Sequence, residues 1–107
     1  MEIPFIQVFI SCATRSQAQS MVDSMLEAQI IACAQIMPKI ESFYRWHGQT
    51  ERAEEYLLIV KSKKDHFIAI EATVKRLHSY EVPEILAVPV VDGSTDYLNW
   101  INEQLKS

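Results

Sequence analysis

Ile31-Ala-Cys-Ala-Gln-Ile-Met-Pro-Lys-Ile-Glu-Ser-Phe-Tyr-Arg-Trp46 is the stretch from which the fold is read. Ala32, Ala34, Ile36, Ile40, Tyr44 and Trp46 fall on one side of an extended chain, and Gln35, Lys39, Glu41 and Arg45 on the other. That is the period-two pattern of a strand. Pro38 interrupts it and, lacking an N–H to give to a ladder, marks a kink or bulge. His47-Gly48-Gln49-Thr50 reads as a turn, and the chain returns through Glu54 to Ser62 with the apolar run Tyr56-Leu-Leu-Ile-Val60. The two segments predict a long antiparallel hairpin. Fully extended, residues 31–46 would span roughly 50 Å at about 3.3 Å per residue, against a diameter of roughly 34 Å for a domain of this size. The strand must kink, overhang or both. An overhang carrying Phe43, Tyr44 and Trp46 leaves an apolar edge for another chain to cover, so the hairpin predicts an oligomer with these three residues at its interface.

Upstream, Pro4 to Ala13 alternates as a strand, with Ile6, Val8, Ile10 and Cys12 on one face and Phe5 and Phe9 on the other, and both faces are expected to be covered. Thr14 or Ser16 offers an N-cap, and Ala18, Met21, Val22, Met25 and Leu26 recur at the spacing of an amphipathic helix that ends near Gln29. Downstream, Lys63-Lys64-Asp65 opens a second helix with an apolar stripe of Phe67, Ile70, Val74 and Leu77. A polar turn then leads into a short strand with Pro83 ahead of it and Pro89 within it, which places that strand at a sheet edge. Asp92-Gly93 breaks the strand, glycine being free to take a positive φ. Ser94, Thr95 or Asp96 caps a last helix carrying Tyr97, Leu98, Ile101 and Leu105. The order β-α-β-β-α-β plus a C-terminal helix predicts an α+β, ferredoxin-like fold in which residues 1–107 form a single domain.

Composition narrows the function. The net charge of −4 comes from fourteen acids and ten bases scattered along 107 residues, with no basic stripe for nucleic acid and no polybasic membrane signal. Only Gly48 and Gly93 are glycine, too few for a phosphate loop, a dinucleotide fingerprint or a nucleophile elbow. Two cysteines do not make a disulfide scaffold, and no targeting or membrane-spanning run is visible. The expectation is a soluble, cytoplasmic protein that is not an enzyme.

Ala32-Cys33-Ala34, Tyr44-Arg-Trp46, the strand end from Lys61 to Lys64, His78-Ser-Tyr80 with Val82-Pro-Glu84, and Asp92-Gly-Ser-Thr-Asp-Tyr-Leu-Asn-Trp100 together resemble the CutA family of divalent-cation tolerance proteins. The resemblance spans nearly the whole chain. It implies a tight homotrimer with strands paired across subunits, an architecture similar to PII signal proteins, and a link to Cu(II) or another divalent cation. Ligands attributed to bacterial members are a cysteine ending the first strand and two adjacent histidines ending the second helix. Here those positions are Cys12, Leu77 and His78, so one histidine is absent.

Each candidate also has a plainer reading. Cys12 is in phase with Ile6, Val8 and Ile10, as a small buried hydrophobe would be. His78 ends a helix, where an imidazole can cap carbonyls. His47 and His66 read as a solvated turn residue and a helix-start residue. Cys33 sits between alanines and would lie about 9 to 10 Å from Cys12 with a strand between, too far for a disulfide within one chain. Lys61, Tyr80, Glu84 and Trp100, with Cys33, make a candidate ligand cleft in which Lys61 and Glu84 are expected to pair. Two functions remain open. One is a trimer that binds copper or another divalent ion in metal tolerance and homeostasis; the other is a PII-like trimer that takes a small anionic ligand at inter-subunit clefts.

Overall fold

A computed structural model describes residues 4–107. The elements run β1 (Phe5–Cys12), α1 (Arg15–Glu27), β2 (Cys33–Trp46), β3 (Gln49–Lys63), a 3-10 turn (Lys64–His66), α2 (Phe67–Leu77), β4 (Leu86–Pro89) and α3 (Thr95–Gln104). The four strands form one antiparallel sheet in the order β2-β3-β1-β4. This is the ferredoxin-like α+β arrangement that the element order predicts, with the proline-bearing β4 at an edge.

Local chemistry sets the boundaries. Thr14 caps α1 by accepting from the Gln17 amide at 3.1 Å. The helix ends in a Schellman motif, with Gln29 in the left-handed region at φ 57°, Ile30 N–H on the Met25 carbonyl and Gln29 N–H on the Leu26 carbonyl. That reversal swings Ile30 and Ile31 into the core before β2 begins, two residues later than the alternation suggests. The hairpin turn is only His47-Gly48, both at positive φ, so β3 resumes at Gln49. At Gly93 the reason for glycine differs from the expected positive φ: a Cβ there would stand 3.1 Å from the Leu98 side chain. Asp92 does cap the Gly93 amide, and Ser94 caps α3.

One face of the sheet carries the core. Ile6, Val8, Ile10, Cys12, Leu58 and Val60 are buried there against Ala18, Met21 and Met25 of α1 and Ile70 and Val74 of α2. Ser62, in phase with them, donates its hydroxyl to the Ile30 carbonyl at 2.6 Å. The opposite face is only partly covered, contrary to the expectation for β1. α3 lies against one end of it, through Tyr97 on Cys33 and Asn102 on Lys63. Beyond α3, Phe9, Leu57 and Ile59 remain half-buried and Met37, Leu86 and Val88 exposed.

The long hairpin both kinks and overhangs. Met37 pairs with Leu57 but Ile40 pairs with Glu55, so Pro38 and Lys39 together oppose Tyr56 in a bulge, with Lys39 at φ 57°. β1 pairs with β3 only from Tyr56 to Lys63. Among the described residues, strand segments 40–46 and 49–55 therefore pair only with each other, as an arm that stretches the molecule to 44 Å along its longest axis. Phe43, Tyr44 and Trp46 are exposed on it.

Candidate functional site

The root of this arm and the turn after α2 enclose a cleft of about 740 Å³. The hairpin contributes Phe43, Tyr44, Trp46 and Glu55, and the turn contributes Tyr80 and Glu84. Why these meet follows from the backbone. Unbroken alternation along β3 puts Glu55 in phase with Leu57 and Ile59, on the face away from α1 and α2, near Ser11 of β1. α2 stops at Leu77, and the chain ahead of Pro83 is forced extended, which lays residues 79–84 along the end of β1.

A hydrogen-bond chain fixes that turn. His78 donates from Nε2 to the Ser11 carbonyl at 2.6 Å and accepts the Tyr80 amide on Nδ1 at 3.1 Å. These two bonds require the neutral tautomer protonated on Nε2. Tyr80 Oη donates to Glu55 Oε2 at 2.6 Å, and Ser11 Oγ donates to Glu84 Oε1 at 2.9 Å. Burial, and then the Glu55 carboxylate, hold the Tyr80 phenol well above its usual range, so it stays a donor. Glu55 is only 4% exposed and lies in none of the ion pairs among the described residues. With Glu81 and Glu84 it makes three carboxylates in the cleft wall, where no lysine, arginine or histidine stands among the described residues.

The residues expected to form one ligand cleft separate into two groups. Tyr80 and Glu84 belong to the cleft just described. Cys33, Lys61 and Trp100 lie at the other end of the sheet, where Cys33 and Lys61 are cross-strand partners and Lys61 Nζ donates to Gln35 Oε1 at 2.9 Å. Tyr97 Oη lies 3.5 Å from Cys33 Sγ and its ring stacks on Trp100 with centroids 5.7 Å apart. The Cys33 contact, followed by burial, raises the Tyr97 phenol to about 12. Within one chain Lys61 and Glu84 therefore do not pair. Lys61 opposes Gln7, whereas Glu84 is held by Ser11, four residues and roughly 13 Å further along β1.

Neither attributed metal ligand is presented to an ion within one chain. Cys12 is fully buried among the core side chains, and that burial, with the nearby Glu55 carboxylate, pushes its thiol up to about 11. A thiolate ligand would first have to be uncovered and ionised. Both ring nitrogens of His78 are engaged with backbone. Among the described residues no group of three His, Cys, Asp or Glu side chains could hold a metal ion. Cys12 and Cys33 are free thiols.

Glu55 is the residue that the sequence pattern did not single out. In Glu54-Glu55-Tyr56 it looks like one of a solvated pair, yet alternation along β3 turns it inward, where Tyr80 meets it. Its alternation phase with Leu57, Ile59 and Lys61 was the available signal. Phe43, Tyr44 and Trp46, expected at an interface, also form the aromatic wall of the cleft.

Residues 6–104 match the family model of the CutA1 divalent ion tolerance protein. The chain is 36% identical over 96 residues to the divalent-cation tolerance protein CutA of Thermus thermophilus, covering 90% of this chain and 93% of that one. It is 37% identical to the protein of the same name from Pectobacterium atrosepticum, over 83% of this chain and 81% of the relative. The crystal structure of CutA1 from the psychrotrophic bacterium Shewanella sp. SIB1 superposes with a TM-score of 0.95 at 31% identity, over 100% of both chains. The bulged hairpin, the overhanging arm and the α3 cover thus occur on a backbone shared with solved relatives, and the chain belongs to the CutA1 divalent ion tolerance family.

Proposed function

We propose that the protein serves divalent-metal homeostasis as a homotrimer that binds copper, or another divalent cation, weakly and acts by binding rather than by catalysis. The observation that carries the assembly is the arm of residues 40–55, which has no strand partner among the described residues beyond its own hairpin, beside an apolar sheet face left open by α1 and α2. A second and third copy that paired with the arm and covered that face would remove both liabilities. The family's name supports the cation. Cys12 and His78 are the candidate ligands, and each must exchange its present surroundings to serve, which accords with weak binding and not with a closed structural site. The free thiols fit a reducing cytoplasm.

Copper's high place in the Irving–Williams order favours it over zinc at such an incomplete imidazole and thiolate set. Calorimetric titration is expected to show Cu(II) bound more tightly than Zn(II), with the difference lost in His78→Ala. Stoichiometric tight zinc contradicts the reading.

A second reading, the PII-like binder of a small anion, is favoured by one observation. Lys63, His66 and Lys106, with Asp65 as the one acidic side chain, border a cleft of about 440 Å³ beside the C-terminal end of α3. Titration with inorganic phosphate, followed by shifts of the His66 ring protons, would saturate if this cleft takes anions and would leave them unmoved if it does not.

A further inference from the structure

We propose that α3 is a hinged lid over the Cys33 end of the sheet, latched through the backbone of Lys106, and that releasing the latch uncovers the Cys33 thiol and the Lys61 ammonium without dissociating the assembly. This is independent of the cation and anion readings. α3 is held differently from the other helices. α1 buries Ala18, Met21 and Met25 and α2 buries Ile70, Thr73 and Val74, whereas α3 buries only Ile101, which stands outside the continuous core cluster. The last bond to the sheet before it runs from Val90 N–H to the Phe5 carbonyl. From there to Ile101, the one hydrogen bond among the described residues that reaches another element is the contact of Tyr97 with Cys33. Residues 91–94 between are exposed and belong to no helix or strand. Few buried contacts and a solvated connection mark a segment that opens before the rest of the fold.

The far end of α3 is clipped down. Leu105 leaves the helix with extended backbone, at φ −91° and ψ 147°, and carries Lys106 between two other elements. Lys106 N–H donates to the Gln29 carbonyl at 3.0 Å, and the Lys106 carbonyl accepts from His66 Nε2 at 3.1 Å. Gln29 is the left-handed residue just past α1, so its carbonyl lies outside the helix and is free for the tail. One turn earlier, Asn102 Oδ1 accepts from Lys63 Nζ at 2.8 Å. The His66 and Lys63 bonds are exposed to water, so each adds only modestly to the hold. Beneath the lid, Cys33 faces Tyr97, and its cross-strand partner Lys61 donates to Gln35 and takes part in no ion pair among the described residues. Motion of α3 then sets how often a solute meets this thiol and ammonium.

Because the latch uses main-chain groups of Lys106, backbone and side chain can be separated. Leu105 already has the extended conformation that a residue before proline prefers, so Lys106→Pro removes the N–H without disturbing its neighbour, while Lys106→Ala keeps it. In the assembled protein, alkylation of Cys33 by iodoacetamide, assigned by peptide mass, is expected to run about fivefold faster in Lys106→Pro and in His66→Ala than in the native chain, and at the native rate in Lys106→Ala. Hydrogen exchange should rise over residues 95–104 in the first two variants while residues 6–12 and 56–62 keep their protection, and light scattering should give an unchanged mass. Native Cys33 rates in folded Lys106→Pro and His66→Ala would overturn the proposal, whether or not α3 exchanges faster, because something other than this lid then covers the thiol. Faster alkylation accompanied by a lower mass would also overturn it, since the assembly and not the lid is then what opens.

Discussion

The two faces of the sheet are built from the same strands and differ in what completes them. On one face Val8, Ile10, Leu58 and Val60 are fully buried under α1 and α2. On the other, one residue along each strand, Phe9, Leu57 and Ile59 are half-buried and Met37, Leu86 and Val88 are exposed. The difference shows that a single chain finishes only half of its own sheet. The arm repeats the pattern, being paired within itself and open along its outer edges. The cleft lies at the border, where the covered end of β1 meets the uncovered root of the arm.

The contrast is broken most severely on the covered face. Leu58→Ala removes a side chain with no route to solvent and is expected to cost about 2 to 5 kcal/mol in urea unfolding, the range for large-to-small changes in a close-packed core. Leu57→Ala, its neighbour on the open face, sharpens the comparison. In an isolated chain it would cost little, whereas in an assembled protein it should lower stability more as protein concentration falls, because association is then part of folding. An effect on Leu57→Ala that is independent of concentration would mean that no second chain covers that face.

Cys12 gives a smaller effect with a defined pH window. Its thiol has an ordinary value of 9.0 and is raised to about 11 in the fold. Between those values the unfolded chain releases the proton while the folded chain keeps it, so the folded state binds more protons and stability falls as pH rises from 9 to 11. Cys12→Ala should flatten part of that fall. In the same range Cys33, only partly buried, should react with iodoacetamide well before Cys12 does.

Much of the covered half was legible in the sequence because burial leaves a periodic signature. Ile6, Val8, Ile10 and Cys12 at period two, and Ile70 and Val74 at helical spacing, point inward as the pattern requires. Pro38 announced the bulge, and strand length announced the overhang. The cleft was only half legible. Tyr80 and Glu84 stood out beside Pro83, but Lys61 was assigned to Glu84 because the pairing ignored where along β1 each residue falls. Glu55 escaped because Glu54 beside it made the pair look solvated, although its phase with Leu57 and Ile59 along the unbulged β3 was there to be read.

The smallest expected effect follows from that separation. A double-mutant cycle on Lys61→Met and Glu84→Gln should give a coupling energy within about 0.5 kcal/mol of zero, as for residues that share no partner. A coupling of several kcal/mol would bring the two residues together, across a subunit boundary if not within one chain.

The central claim is that two further copies complete the half-finished sheet and its arm, and the mass in solution tests it most directly. Light scattering across micromolar dilution, with circular dichroism on the same samples, should give about 37 kDa, three times the 12.3 kDa chain, with no folded monomer on dilution. A mass of 12.3 kDa with undiminished native circular dichroism would contradict it.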